Sequence, residues 1–252
     1  MLNTLIALAA AHVLADFVLQ SARMVQYKRR IGIFLLHISF VALSALLTLG
    51  PRPVGDVLAL VAFVAAAHGL IDAIKTWLMP QRPADAFWAL KLFGGDQVAH
   101  IASLAVGAAI WPAAFEQGLW PAVLGAHGAS TLVGAIVLAT GLVLATRVGA
   151  IVIGLLMQGL IEPETTIVQP PTASALRAGI WIGWLERGLV FGFVLLDQFA
   201  AIGFVIAAKS ILRFEYARKA EQSERVIIGT MASFGWAIGW AVLTQRLWYV
   251  VV

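Results

Sequence analysis

The sequence predicts an all-α polytopic membrane protein, a helix bundle of about six to eight transmembrane helices. Of the 252 residues, 61% are hydrophobic and only 12% are charged. The mean hydropathy is +0.92, and the apolar residues form long runs. Soluble domains carry about 25% charged residues, so a chain this apolar cannot cover a surface that faces water. The nine tryptophans are typical of residues that lie at membrane–water interfaces.

The apolar runs have the length of membrane spans, which need about 20 residues. In chain order the candidate spans are 3–22, 31–50, 55–79, 95–113, a run from 129 onward, 178–212 and 225–246. Short polar connections join the first four spans, so we expect these to form a compact bundle. The path of residues 149–161 stays open between a re-entrant segment, a helix lying on the membrane and an extension of the fifth helix.

Two polar breaks divide the chain into three expected parts. The first break is PAAFEQGLWPAVLGAHG, and the second is IEPETTIVQPPTAS, which lacks an apolar period. The expected parts are a four-helix transmembrane bundle over 1–115, a connecting transmembrane or re-entrant segment with a linker over 116–176, and C-terminal transmembrane helices over 177–252.

Basic residues lie in clusters after the first span, around the loop after the third span, and before the last span. The positive-inside rule places such clusters in the cytoplasm, which puts the N-terminus outside. Topology therefore explains the sequence pI of about 9.8, and we expect no nucleic-acid partner. The chain has no cysteine, which excludes disulfides, thiolate metal sites and cysteine nucleophiles.

Four of the five histidines lie in the first four spans, one in each span, and three of them have an aspartate four residues away. The pairs are His12 with Asp16, His68 with Asp72, and Asp96 with His100, while His37 stands alone. Residues i and i+4 share one face of a helix. Each pair therefore presents an imidazole and a carboxylate in the same direction.

The depth of these seven groups in the membrane is consistent between the spans. Counted from nearby basic residues at about 1.5 Å per residue, all seven fall in one layer of the inner leaflet. In each pair the acid lies nearer the cytoplasm than the imidazole. An aspartate at a helix centre costs about 2.5–3.5 kcal/mol on insertion scales, so ionisable groups at this depth face the bundle interior and pair.

Imidazole and carboxylate together are typical ligands of Zn²⁺, Mn²⁺ or Fe²⁺. We therefore predict a site for one or two divalent metal ions. Its ligands are His12, Asp16, His37, His68, Asp72, Asp96 and His100. Asp16, Asp72 and Asp96 are also the candidate catalytic residues, since an uncoordinated carboxylate can act as a general base. The alternative is a set of interhelical hydrogen bonds that hold the bundle together, each worth about 1 kcal/mol.

Further polar side chains near this layer are candidates for binding a substrate. In the first half these are Gln20, Lys28, Lys75 and Gln97. A lysine ammonium group binds phosphate as a point charge, although a lysine at this depth also snorkels routinely to the interface. In the second half, Lys209 and Arg213 lie one turn apart in KSILRF, which is either a positive-inside anchor or a headgroup-binding pair.

These motifs resemble an uncharacterised prokaryotic integral-membrane family, domain of unknown function 3307. The resemblance rests on H-x3-D-F-x-L-Q from His12, the lone His37, H-x2-I-D-x2-K from His68, and D-Q-x2-H from Asp96, over roughly the first 115 residues. IGWLER and AIGFVIAAKSILRF are similar to a tail often attached to that domain. The resemblance implies an arrangement in the inner membrane and no reaction. The paired His and Asp residues also have a looser likeness to membrane-bound metal-dependent hydrolases.

The leading hypothesis is an integral-membrane, metal-dependent hydrolase or transferase. It would act on a lipid or a lipid-linked phosphate at the cytoplasmic leaflet, with membrane lipids as its partners. The main alternative is a cation or proton transporter that uses the same layer as a relay. A haem protein with histidine axial ligands leaves the neighbouring acids without a role, and a non-catalytic structural protein is the remaining alternative. The sequence leaves the oligomeric state open.

Overall fold

Helices joined by short connections make up the part of the chain that the computed structural model describes, which covers residues 1–52, 55–78, 86–160, 173–213 and 220–252. The α-helices are α1 (Leu2–Val13), α2 (Ala22–Gln26), α3 (Ile31–Leu49), α4 (Gly55–Ala73), α5 (Trp88–Ile110), α6 (Ala114–Gln117), α7 (Leu119–Val143), α8 (Gly149–Gly159), α9 (Ala173–Leu195), α10 (Phe199–Arg213) and α11 (Ala220–Val251). Those residues include no strand. The predicted all-α fold is confirmed.

Among the described residues, six helices are long and apolar enough to cross a membrane. They cover Leu2–Leu19, Ile31–Leu49, Gly55–Trp77, Leu119–Gly159, Ala178–Leu195 and Ile227–Val251. A shorter apolar helix covers Phe199–Ile211. The six candidate spans agree with the predicted polytopic helix bundle, and their number is the lower bound of the predicted range.

The predicted span 95–113 differs most from the structure. Here α5 runs from Trp88 to Ile110, and its 23 residues have the length of a span. It is not among the six, because Asp96, Gln97 and His100 make it less apolar than the others. The helix ends before Trp111-Pro112, where the proline has no N–H to donate to a continuing helix.

The segment 149–161, whose path the sequence left open, extends the fifth helix as far as Gly159. Helical conformation runs from Leu119 to Gly159, through α7, a π-helical segment and α8. The kink in this long helix lies at Gly125, which has a φ of 69°. Residues 161–172, which include most of the second predicted break, lie outside the described residues.

The described residues form two compact units. The first comprises residues within 1–83, 91–140 and 247–252, and the second comprises residues within 84–90 and 141–246. These two units are defined by contacts between residues in space, and each unit combines separate stretches of the chain. The three parts predicted from the sequence, 1–115, 116–176 and 177–252, stay a prediction.

In the first unit, α3 packs against both α1 and α4. Alanines such as Ala7, Ala11 and Ala15 are fully buried in its core, which lets the helices approach closely in the way that small residues allow in membranes. One contact is especially close. A Cβ atom at Gly118 would lie 1.9 Å from the carbonyl oxygen of Leu49, so only glycine fits where the end of α3 meets the start of α7.

The second unit has its own core, formed around Ala145, Val190, Phe191, Val194, Phe234, Ala237 and Ala241. It contains α8, α9, α10 and most of α11. A second close approach lies here, since a Cβ atom at Gly149 would be 2.7 Å from the indole ring of Trp236. The tryptophan ring therefore packs directly on the backbone at the start of α8.

Candidate metal centre

The seven predicted His and Asp ligands all come together inside the first unit. They belong to α1 and the π-helical segment after it, and to α3, α4 and α5. His37, His68, Asp72 and His100 are each at most 2% exposed. The side chain of Asp16 is 9% exposed. The ligands therefore face one another inside the helix bundle and not the lipid.

Four atoms from three of these helical segments form the centre of the cluster. The Nε2 atoms of His37 and His68 are 3.0 Å apart. His37 Nε2 lies 3.4 Å from Asp16 Oδ1 and 3.1 Å from Asp72 Oδ2. His68 Nε2 lies 3.3 Å from each of the same two oxygens. All these distances join nitrogen and oxygen atoms that can ligate a metal.

Five of the six distances within this four-atom cluster lie close to those of a tetrahedral site. Zinc binds nitrogen and oxygen at about 2.0–2.1 Å, which places neighbouring ligands in a tetrahedron about 3.3 Å apart. The five distances in the cluster run from 3.0 to 3.4 Å. Asp16 Oδ1 is buried and has no hydrogen-bond partner, so hydrogen bonding leaves this oxygen unsatisfied whereas a cation would bind it.

His100 is held in the tautomer that a ligand or base requires. Its Nδ1 lies 2.8 Å from the backbone carbonyl oxygen of Asp96. A carbonyl oxygen only accepts, so Nδ1 carries the proton and Nε2 carries the lone pair. That Nε2 atom is buried and has no hydrogen-bond partner. Metal-binding histidines commonly donate their other nitrogen in this way.

Gln97 orients two members of the cluster at once. Its amide nitrogen donates to Asp96 Oδ2 at 3.1 Å, and its amide oxygen lies 3.0 Å from His12 Nε2. Because an amide oxygen accepts, His12 carries its proton on Nε2 and its lone pair on Nδ1. That Nδ1 atom is 3.8 Å from Asp16 Oδ2. Both ends of the amide predicted to bind substrate thus contact residues of the protein.

Lys28 and Lys75 lie directly against the carboxylates. Lys28 is buried, and its Nζ is 2.5 Å from Asp72 Oδ2. Lys75 Nζ is 2.6 Å from Asp96 Oδ2, and the lysine side chain is 35% exposed. The sequence identified both lysines as neighbours of the site, and the structure pairs each of them with one acid.

The imidazole rings form a continuous series. The ring centroids are 4.9 Å apart for His12 and His100, 4.2 Å for His100 and His68, and 5.1 Å for His68 and His37. Asp96 lies beside this series, with its Oδ1 3.6 Å from His100 Nδ1. This oxygen too is buried and without a hydrogen-bond partner.

Two π-helical segments occur at the site, and the apolar pattern of the sequence does not predict them. Leu14–Leu19 contains Asp16, and Ile74–Leu78 contains Lys75. Such segments are rare and often mark functional sites. The wider turn after α1 directs the Asp16 carboxylate toward His37 and His68 on the neighbouring helices.

Several combinations of these side chains could hold a metal ion. Three groups have one ligand atom from each member within 4.8 Å of the others: His12 with Asp16 and His68, His37 with His68 and Asp72, and Asp72 with Asp96 and His100. The first two groups share His68, and the last two share Asp72. Shared ligands are compatible with either one ion or a pair of ions bridged by a carboxylate.

Three further residues were predicted to bind substrate. Gln20 ends the π-helical segment, and its buried amide nitrogen has no hydrogen-bond partner. Lys209 belongs to the second unit, where it pairs with Glu186 at 2.5 Å. The side chain of Arg213 lies outside the described residues.

Comparison with known proteins identifies one family. The family described as "Protein of unknown function (DUF3307)" matches residues 4–119, so this segment is similar to that family. The predicted resemblance over roughly the first 115 residues is confirmed. No curated protein and no solved structure matches the chain.

Proposed function

Starting from a segment similar to a family of unknown function, we propose that the chain is an integral-membrane, metal-dependent hydrolase or transferase. Its substrate would be a lipid or a lipid-linked phosphate at the cytoplasmic leaflet. The observation that carries the proposal is the four-atom cluster of His37, His68, Asp16 and Asp72. Five of its six distances are 3.0–3.4 Å, close to those between the ligands of a tetrahedral metal site.

In this proposal the four residues hold a divalent transition metal, Zn²⁺, Mn²⁺ or Fe²⁺. A metal ion there supplies Lewis-acid chemistry and lowers the pKa of bound water. Asp96 and His100, which lie outside the four-atom cluster, are the candidates for moving a proton at Asp96 Oδ1 or His100 Nε2. Lys28 and Lys75 supply positive charge beside the carboxylates, where a phosphate group would need it.

The location belongs to the same proposal. The basic residues Arg23, Arg29 and Arg30, which follow the first span, are exposed. With the positive-inside rule they favour a cytoplasmic position for this end of the bundle and an outside N-terminus. The membrane would be the prokaryotic inner membrane, and the site would open toward the cytoplasmic headgroups.

Metal content tests the proposal directly. We expect the purified full-length chain to retain a transition metal near one or two ions per chain, as measured by elemental mass spectrometry. His68→Gln should lose it, because His68 belongs to two of the candidate ligand groups. His127→Gln, at an exposed histidine of α7, is the matched control and should keep the metal.

Two results would contradict the metal site: a wild-type chain without stoichiometric metal after growth and purification in its presence, or full retention by a folded His68→Gln variant. Folding is checked by elution volume in detergent and by circular dichroism. For the reaction, metal-dependent loss of phosphate from phosphatidic acid or a prenyl diphosphate in mixed micelles is followed by lipid mass spectrometry. Asp96→Asn should slow it by about 10²–10⁴-fold, and the exposed Asp56→Asn should not.

A second candidate function is a cation or proton transporter. The continuous series of four imidazole rings, with centroids 4.2–5.1 Å apart, favours it because proton relays use such chains. Flux in proteoliposomes distinguishes the two functions. Flux that depends on Asp16 and Asp72, without any change in lipid composition, would support the transporter over the enzyme.

A further inference from the structure

The second unit contains a polar cavity that the proposed metal chemistry does not use. Its volume is about 280 Å³. The lining comes from α8, α9, α10 and α11 and includes Gly179, Glu186, Arg187, Lys209, Thr230 and Ser233. Five polar or charged side chains therefore line a space that apolar side chains would ordinarily fill between apolar helices.

Arg187 is the most unusual residue of this lining. It is 5% exposed, and its hydrogen bonds go to neutral groups: Nε donates to the Thr146 carbonyl oxygen at 3.1 Å, and a terminal nitrogen donates to Ser233 Oγ at 3.1 Å. Thr146 belongs to the π-helical segment Leu144–Val148. Among the described residues no carboxylate lies within ion-pair distance of this guanidinium.

Among the described residues of the lining, the acid Glu186 is already paired. Glu186 Oε2 lies 2.5 Å from Lys209 Nζ, and both side chains are largely buried. The lining therefore holds two cations and one carboxylate, an excess of one positive charge. A buried charge without a counter-ion is unfavourable, and a negatively charged ligand in the cavity would remove that cost.

We propose that this cavity binds a phosphate-bearing anion, either free phosphate or the headgroup of a lipid. An arginine guanidinium presents its donors in a planar fork that suits phosphate oxygens. Lys209 adds a second positive charge. Thr230 and Ser233, both on α11, add hydroxyl groups that can donate hydrogen bonds. The site is independent of the metal centre, since all its residues belong to the second unit.

Glycine at two positions keeps the cavity open. A Cβ atom at Gly179 would meet nothing within 4 Å, so a larger side chain there would occupy empty space without displacing backbone. At Gly183 a Cβ atom would lie 3.3 Å from a terminal nitrogen of Arg187. Gly179→Leu is therefore a variant that blocks the cavity while preserving the fold, which Arg187→Gln need not do.

The experiment uses the full-length chain in nanodiscs of phosphatidylcholine. One arm measures binding of inorganic phosphate by equilibrium dialysis. The other arm adds phosphatidic acid and counts retained lipids by native mass spectrometry. We expect binding in at least one arm, and the arm that binds identifies the source of the phosphate group.

Variants of the lining residues test whether the anion binds in this cavity. Lys209→Met should weaken binding by about 10- to 100-fold, the effect of losing one charge-assisted hydrogen bond, and Gly179→Leu should abolish it. Glu186→Gln should tighten it, because the competing carboxylate is gone. The controls are Arg246→Gln, at an exposed arginine of the same unit, and Gly192→Leu, elsewhere on α9, where a Cβ atom also meets nothing within 4 Å.

Absence of binding in both arms would overturn the proposal. Binding that survives Gly179→Leu and Lys209→Met together would also overturn it, because the anion would then sit elsewhere. Equal losses in the two control variants would show a general effect on the fold and would count against the site as well.

Discussion

Lys28 is the residue whose role depends most on whether a metal is bound. It is buried and pairs with Asp72, a carboxylate that also faces His37 and His68. In the metal-free chain it is the nearest full positive charge to that carboxylate. A metal ion in the four-atom cluster would supply a second one.

Lys28→Met should therefore destabilise the metal-free chain by about 3–5 kcal/mol, the typical loss when one partner of a buried ion pair is removed. Added metal should recover part of this loss. The measurement is unfolding by sodium dodecyl sulfate in mixed micelles, with and without metal. Lys75→Met is the comparison, since its side chain is 35% exposed and surface pairs contribute only about 0–1 kcal/mol. Equal losses of stability in the two variants would show that the burial of Lys28 does not determine its contribution to stability.

The pairs His12–Asp16, His68–Asp72 and Asp96–His100 could be predicted from the sequence because four-residue spacing fixes the face of a helix. Their convergence and their distances could not. The tautomers of His12 and His100 depend on the acceptors that their ring nitrogens meet, and both acceptors belong to α5. Gln97 was predicted from the sequence to bind substrate, but its contacts with His12 and Asp96 were not.

At the scale of the elements, the end of α3 and the start of α7 meet at two glycines. Gly50 has a φ of 95°, and a Cβ atom there would lie 2.6 Å from the backbone nitrogen of Leu119. At Gly118 the clash is with the carbonyl oxygen of Leu49. Backbone atoms cannot swing away as a flexible side chain can, so the two helix ends would have to move apart.

Gly118→Ala should consequently destabilise the first unit by about 1–3 kcal/mol, as overpacking does. Thermal unfolding in detergent measures this, and Gly55→Ala is the control. A Cβ atom at Gly55 meets nothing within 4 Å, and alanine in a helix is favoured over glycine by about 0.8–1.0 kcal/mol. A Gly118→Ala variant as stable as Gly55→Ala would contradict the close contact between the two helices.

The π-helical segments are elements that the sequence pattern does not predict. Periodicity predicted continuous apolar helices through residues 14–19 and 74–78, and the structure has wider turns there. The apolar pattern does not distinguish one wide turn from an α-helical turn, because the difference is a single residue per turn. The cost of the wider turn is balanced by contacts with other helices, which a local sequence pattern does not contain.

At the scale of the whole molecule, the first unit contains more than residues 4–119, the segment that matches the family. The core of this unit also contains Ala129, Val133 and Val137 of α7, with Leu247 and Val251 packed against it. Trp248 contacts α7 at Gly134, where a Cβ atom would lie 2.8 Å from the indole ring. Residues 247–252 therefore contribute to the unit that contains the candidate metal centre.

Trp248→Ala should lower the stability of the first unit by about 1–2 kcal/mol, less than the 3–5 kcal/mol typical of a fully buried tryptophan. Metal affinity should fall with it. Tyr249→Ala, at the adjacent aromatic residue, is the control because that side chain is 70% exposed. Metal affinity measured by competition with a chelator is the readout, and the same affinity in both variants would separate the C-terminal residues from the site.

The sequence alone determined the class of the molecule and the types of residue in its site. Apolar composition over 252 residues indicates a membrane environment, and helix geometry converts four-residue spacing into shared faces, so both follow from local chemistry. Only the tertiary structure decided that Asp16, His37, His68 and Asp72 meet at 3.0–3.4 Å, that Lys28 and Lys75 pair with the acids, and that Arg187 lines a cavity. These arrangements depend on how helices far apart in the chain rotate and pack, and no local pattern encodes that rotation.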